Sequence, residues 1–193
     1  MHVLIYIVVT IITCYCNTLI GTIHDNRHIH TPKEQLLVPL YDVWYSNFGA
    51  PLINYSYLPD ILIWINILLL IPCLVYNTFI HFINVLCFLF TIRGLCIFST
   101  SGYVSYRKKN TDVLLVTSIN NSYTDMVISG HTMTSILLFC HIYDSECSSL
   151  YVIISSIITF FSIFTILLVG DHYVSDILIG LTLSFLSHYS IFF

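Results

Sequence analysis

Two short stretches of this sequence place a histidine among small polar residues. The first is Ser129-Gly130-His131-Thr132, at the start of an apolar run, and the second contains His172 and Asp176. Imidazole gives or takes a proton near neutral pH. A carboxylate four residues further along a helix lies on the same face and can hold one ring nitrogen protonated. This combination is typical of nucleophilic and general acid–base catalysis.

The first stretch has the features of an anion site at the beginning of a helix. Free backbone N–H groups and the positive end of the helix dipole attract anions there. Gly130 allows a ligand to come close to the backbone, and Ser129 and Thr132 add hydroxyl donors. We therefore predict a phosphate at this position, with His131 as a proton donor or acceptor. The alternative is that Ser129 only caps the helix and His131 lies at an interface.

For the second stretch we predict a helix that begins near Asp171 and places His172 and Asp176 on one face. The Asp176 carboxylate would then orient the imidazole for attack. The alternative is an ordinary helix start, where Asp176 is favourable because of the helix dipole.

Arg93 lies inside the apolar segment CFLFTIRGLCIFST. An arginine at the centre of a bilayer costs about 2.5 to 3.5 kcal/mol on insertion scales, so it usually has a partner or ligand. We predict that it reaches the same phosphate; the alternatives are pairing with Asp60 or with lipid headgroups.

Asp60, directly after Pro59, is interpreted as a helix cap. The remaining histidines are interpreted as interfacial or loop residues: His2, His24, His28, His30, His81, His141 and His188.

The composition predicts an all-α, polytopic membrane bundle. Of 193 residues 57% are hydrophobic and 8% charged, with a mean hydropathy of +0.88, whereas soluble domains have roughly 25% charged residues. A membrane helix needs about 20 apolar residues. Six stretches come near this length, in a single domain of residues 1–193: 3–23, 61–80, 82–99, 129–143, 150–169 and 175–193. The first stretch lacks the basic start and cleavage pattern of a secretory signal, so we expect a retained helix.

Charge and cysteine content exclude other classes. A net charge of −4 with six Lys plus Arg does not suit nucleic-acid binding. The seven cysteines contain no CxxC pair and predict neither a zinc site nor a disulfide framework. We expect no metal and no cofactor. Both a monomer and a homo-oligomer are compatible with this sequence.

Two motifs of this chain resemble the two signature motifs of the sphingomyelin synthase family. They are Asp125-x-x-x-Ser129-Gly130-His131-Thr132 and, further along the chain, His172-Tyr173-x-x-Asp176. That family lies within the type 2 phosphatidic acid phosphatase group. Leu58-Pro59-Asp60 and Arg93-Gly94 resemble two further elements of the family, so the resemblance covers residues 58–180. The chain departs from the family at Tyr123-Thr124, after Thr100 and at Asp171, and these differences concern the head group and acceptor.

The resemblance implies a ceramide phosphotransferase of the Golgi, endoplasmic reticulum or plasma membrane. His172 would attack the phosphorus of a phospholipid donor such as phosphatidylcholine, with Asp176 orienting it. His131 would protonate the departing diacylglycerol and then deprotonate the ceramide acceptor. Arg93, Asp125 and the helix start at Ser129 and Gly130 would bind the phosphate and head group.

Two rival functions stay open. A lipid phosphate phosphatase would use water as the acceptor, but it needs further basic residues, and residues 160–171 contain no Arg or Lys. A catalytically inactive membrane relative is the second rival.

The sequence gives two opposing indications of which side of the membrane holds these residues. All six Lys and Arg fall on or near the histidine-motif side, which the positive-inside rule places in the cytosol. The family resemblance implies the lumen or the cell exterior, and this is the expectation we adopt.

Overall fold

The computed structural model describes residues 57–73, 76–99, 128–145 and 147–190, with scattered positions between 8 and 55. Asp125, most of the predicted first span and the histidines at 2, 24, 28 and 30 lie outside the described residues. The described elements are all helical, which confirms the all-α prediction. The main helices are α1 (Leu58–Leu70, continued by a 3-10 turn at Ile71–Cys73), α2 (Tyr76–Ser99), α3 (Gly130–Asp144), α4 (Ser149–Val169) and α5 (Val174–Ser190).

The predicted position of the break between the second and third membrane spans was wrong. The sequence predicts helices over 61–80 and 82–99, but α1 tightens into a 3-10 turn at Ile71–Cys73 and α2 begins at Tyr76. Pro72 explains the break, because proline has no N–H and its ring clashes with the carbonyl group four residues earlier. His81 is therefore inside a helix and not in a turn.

Contacts between named residues fix the direction of each helix. α1 and α5 run parallel to α3, because Asp60 contacts His131 and His188 contacts Asp144. α2 and α4 run the opposite way, with Arg93 beside the start of α3 and Ser162 beside Ser135. The starts of α1, α3 and α5 thus share one end of the bundle with the ends of α2 and α4. We call this the motif end, and the other the opposite end.

α3 forms the centre of the bundle and packs against α1, α2, α4 and α5. Its apolar residues meet a cluster from α1 and α2, which together exclude solvent: Leu70, Cys73, Phe82, Ile83, Val85, Leu89, Ile128, Met133, Leu137, Leu138 and Ile142. Close packing of these apolar side chains holds α3 against its neighbours within the described bundle.

The outer helices are polar inside and apolar outside. In α4 the buried positions include Ser155, Thr159 and Ser162, whereas Ile157 and Phe160 are exposed. The described residues contain two helical stretches long and apolar enough to cross a membrane, Phe79–Ile97 and Ser149–Val169. Large contiguous apolar surfaces mark contact with a membrane or another protein.

A buried polar network joins α1, α3 and α4. The Asn66 side chain donates to Thr159 Oγ1 at 2.9 Å and accepts from Ser155 Oγ at 3.0 Å. The hydroxyls of Ser135 and Ser162 are 2.9 Å apart. Small polar residues allow close approach of helices and bond across them in membranes, so this network sets the register of the three helices.

A disulfide between Cys73 and Cys147 corrects the sequence prediction that the cysteines form no disulfide. Their Cα atoms are 5.8 Å apart, although 74 residues separate them in the sequence. The bond joins the end of α1 to the turn between α3 and α4 at the opposite end. The spacing of the cysteines along the sequence does not predict this bond, because Cys73 and Cys147 come together only when α1 lies parallel to α3.

Candidate active site

Ser129 is the cap of α3. Its backbone is extended, with φ −68° and ψ 110°, and its Oγ accepts from Thr132 N at 3.2 Å and from Thr132 Oγ1 at 2.9 Å. This is the usual way in which a serine satisfies free N–H groups at a helix start. The capping alternative is therefore what the structure shows for Ser129, and the Thr132 hydroxyl is held within the same cap.

The guanidinium group of Arg93 lies directly against Gly130. A Cβ at Gly130 would come within 3.1 Å of both Arg93 Cζ and Arg93 Nε. Arg93 Nε donates to the carbonyl of Ile128 at 3.4 Å, and the side chain is only 2% exposed. α2 thus places a buried positive charge at the N-terminus of α3, where an anion is already favoured.

His131 is oriented by Asp60, a partner that the sequence interpretation missed. His131 Nε2 lies 2.8 Å from Asp60 Oδ1, with His131 buried and the Asp60 side chain 29% exposed. The prediction that Asp60 caps a helix was wrong, because α1 has Tyr57 at its N-cap and Asp60 in its first turn. The carboxylate is free of the capping role and holds the imidazole in one orientation.

His172 and Asp176 lie close together, but not on one helical face as predicted. α5 begins at Val174, so His172 lies in the preceding turn, after Gly170 ends α4 with φ 79°. His172 Nδ1 is 3.5 Å from Asp176 Oδ2, and both side chains are at most 3% exposed. The same Asp176 oxygen accepts from Tyr173 N at 3.2 Å. Asp176 therefore caps α5 by reaching back and faces the imidazole at the same time.

Backbone contacts join the two histidine segments. Ser129 N donates to the carbonyl oxygen of Asp176 at 3.2 Å. A Cβ at Gly180 would come within 3.0 Å of the carbonyl oxygen of Ser129, so α5 crosses the start of α3 as closely as two backbones allow. The first turns of α3 and α5 are consequently fixed against each other at the motif end.

The arrangement brings two imidazole–carboxylate pairs and one buried arginine to the start of two helices. Such a site can bind an anionic group between Arg93 and the helix-start N–H groups, and it can supply a nucleophile and an acid or base. His131, His172, Asp176, Arg93, Ser129 and Gly130 all lie at this end of the bundle. Asp125, the remaining predicted site residue, lies outside the described part of the chain.

Three histidines interpreted as interfacial or loop residues form a cluster at the opposite end of the bundle. They come from three helices: His81 from α2, His141 from α3 and His188 from α5. In the described part of the chain this is the group of side chains that could hold a metal ion. The sequence pattern does not indicate this cluster, because the three residues are far apart along the chain.

Comparison with known proteins supports one superfamily. A family model described as PAP2 superfamily C-terminal matches residues 123–191. No curated protein matches the chain significantly. The matched segment contains both histidine motifs, which supports the type 2 phosphatidic acid phosphatase-like superfamily and an enzyme of the lipid phosphatase or phosphotransferase type.

Proposed function

We propose that this chain is a multi-pass membrane enzyme that transfers a phospho-head group from a glycerophospholipid to ceramide through a phosphohistidine on His172. The observation that carries the proposal is the meeting of two imidazole–carboxylate pairs with Arg93 at the motif end. The choice of ceramide as acceptor rests on the resemblance of residues 58–180 to sphingomyelin synthases. The PAP2 superfamily match supports the chemistry.

The distribution of side chains supports a membrane location. In α5 the buried residues include Asp176, Ser184 and His188, whereas Leu178 and Leu186 are each 57% exposed. A protein in water would expose the polar face and bury the leucines. In a bilayer the outward leucines contact lipid, and the polar residues face the bundle interior.

The first chemical step follows from the orientation of His172. With Asp176 facing Nδ1, Nε2 is the nitrogen that attacks the donor phosphorus. A phosphorus–nitrogen bond forms as the bond to the diacylglycerol oxygen breaks. His131, held through Nε2 by Asp60, delivers a proton to that oxygen from Nδ1. Arg93 and the N–H groups at the start of α3 stabilise the charge on the non-bridging oxygens.

The second step reverses these roles. His131 takes the proton from the primary hydroxyl of ceramide, and the ceramide oxygen attacks phosphorus. The phosphorus–nitrogen bond breaks and returns His172 to its neutral form. The products are diacylglycerol and a sphingophospholipid, so atoms and protons balance over the cycle.

The second candidate is a lipid phosphatase, which would use the same first step and water in the second. One observation favours the transferase: the segment Phe160–Asp171, next to His172, contains no Arg or Lys to hold the extra charge of a phosphomonoester. Among the described residues, Arg93 is the one Lys or Arg at this site, and its single positive charge suits the single negative charge of a phosphodiester.

The test is a product assay in vesicles. The full chain is reconstituted with fluorescent ceramide and a mixture of glycerophospholipid donors, beside His172→Ala and a control variant, Thr182→Ala. Thr182 is exposed on α5, and its hydroxyl donates to the carbonyl oxygen of Leu178 in the same helix. We expect a new sphingophospholipid with wild type and with Thr182→Ala, and none with His172→Ala.

The other outcomes are equally informative. Donor hydrolysis that requires His172 and yields no ceramide product would establish the phosphatase. Equal behaviour of wild type and His172→Ala, with both chains folded by size-exclusion chromatography, would contradict an enzymatic role. An acid-labile label on the protein from a head-group-labelled donor, absent in His172→Ala, would locate the intermediate.

A further inference from the structure

A second polar cluster lies at the opposite end of the bundle, and the proposed reaction does not use it. It contains His81, His141 and His188, with Asp144 beside it. From His81 to Arg93 is twelve residues of continuous helix, or roughly 18 Å at 1.5 Å per residue. The cluster is therefore separate from the motif end.

The three imidazoles converge. Each offers one ring nitrogen, and these three nitrogens lie within 4.8 Å of one another. The ring centroids are 4.5 Å apart for His141 and His188, and 5.1 and 5.2 Å for the two pairs with His81. Zinc bonded to imidazole nitrogens at about 2.0 to 2.1 Å needs them roughly 3.3 Å apart. The nitrogens of a zinc-loaded site would therefore lie closer together than in this structure by at most about 1.5 Å.

The hydrogen bonding of the cluster indicates a ligand. His141 is 1% exposed, and among the described residues neither of its ring nitrogens has a hydrogen-bond partner. His188 Nδ1 is buried and likewise lacks a partner in the described part of the chain. Buried polar atoms without a partner are costly, and each requires an explanation such as an ion. A metal ion bound by these nitrogens provides one.

Asp144 completes a pattern that is common around metals. Its Oδ2 lies 2.6 Å from His188 Nε2, so Nε2 carries the proton and Nδ1 is left as the ligand atom. Histidine ligands of metals usually donate their other N–H to a carboxylate or carbonyl in this way. The Asp144 side chain is 33% exposed, which also gives an ion and a water molecule access from solvent.

We propose that His81, His141 and His188 bind one divalent transition-metal ion, Zn²⁺ foremost, with Asp144 orienting His188 and water in the fourth position. Three neutral imidazoles suit zinc, which takes three protein ligands plus water in open tetrahedral sites. The ion would join α2, α3 and α5 at the end where Cys73–Cys147 joins α1 to the α3–α4 turn. Its role there is to hold the helices together.

The test uses the full chain purified without a polyhistidine tag, stripped with chelator, reloaded with Zn²⁺ and freed of excess ion. Bound zinc is measured by mass spectrometry, and affinity by calorimetry. We expect about one zinc per chain in wild type and in His172→Ala, and none in His141→Ala. His172→Ala is the matched control because it also removes one buried histidine, but at the motif end.

Two further measurements keep the proposal open to refutation if His141→Ala does not fold. Asp144→Asn should weaken zinc binding by about 10- to 100-fold without abolishing it, as for other carboxylates behind a metal-binding histidine. Cobalt in place of zinc should give the visible absorption of a tetrahedral site. A wild-type chain that binds no zinc, or equal binding by folded His141→Ala, would overturn the proposal.

Discussion

Gly130 shows how one missing side chain shapes the site. The guanidinium group of Arg93 occupies the space that a Cβ would take, 3.1 Å from Cζ and Nε. We predict that Gly130→Ala lowers kcat about tenfold or more, because the methyl group pushes the charge away from the phosphate position. The fold should survive, because the far end of a flexible side chain can move. Activity and melting temperature, measured together, check this; a large loss of stability would contradict it.

Asp60 contacts His131, so in the proposed reaction it acts through His131 as a positioning residue. We predict that Asp60→Asn lowers kcat roughly 100-fold with little change in KM, since general acid–base catalysis contributes 10² to 10⁴. The amide keeps the size of the carboxylate but does not hold His131 Nε2–H at 2.8 Å in the same way. Asp60→Glu should restore part of kcat. Steady-state kinetics beside Thr182→Ala measure the effect, and an unchanged kcat would show that Asp60 does not serve His131.

The sequence predicted which segments form helices more accurately than it predicted where each helix ends and which helices lie next to one another. The all-α class could be predicted because the length and hydropathy of the apolar runs are enough to identify membrane helices. Pro72 lies inside an apolar run, so hydropathy alone does not show that it ends a helix. The break between α1 and α2 therefore comes earlier in the chain than predicted. Pairs such as Asp60 with His131, 71 residues apart, depend on which helices are neighbours. The linear pattern does not contain that information, so the sequence indicated a helix cap or a partner of Arg93 for Asp60 and not its contact with His131.

Asn66 provides a test of how the helices are held together. We predict that Asn66→Leu destabilises the bundle by about 0.6 to 1.7 kcal/mol, the range measured for hydrogen bonds between membrane helices. The leucine removes the bonds to Ser155 and Thr159 and leaves both hydroxyls facing an apolar group. Denaturation in mixed micelles measures the difference. Leu68→Ala, at a 62% exposed position of the same helix, should cost less; a larger cost than for Asn66→Leu would contradict the network's role.

For the whole molecule, the two ends of the bundle differ in charge and in cysteine chemistry. The run of basic residues 107–109 comes between α2 and α3 in the sequence, and the end of α2 and the start of α3 are both at the motif end, whereas the turn at 145–148 carries no basic residue. Positive loops stay in the cytosol. The Cys73–Cys147 disulfide lies at the opposite end, and disulfides persist in oxidising compartments. Both features agree, and they oppose the luminal motif end that the family resemblance implies.

We therefore predict that the motif end faces the cytosol and the disulfide end faces the lumen. In sealed microsomes with the cytosolic face outward, an impermeant maleimide should label Lys108→Cys at once and Ser148→Cys only after detergent. Ser148 is exposed beside the disulfide, and the parent chain measures background from the native cysteines. The reverse pattern would place the motif end in the lumen. The orientation matters for the proposed reaction, because an active site on the cytosolic side would take its donor from the cytosolic leaflet and release its product there.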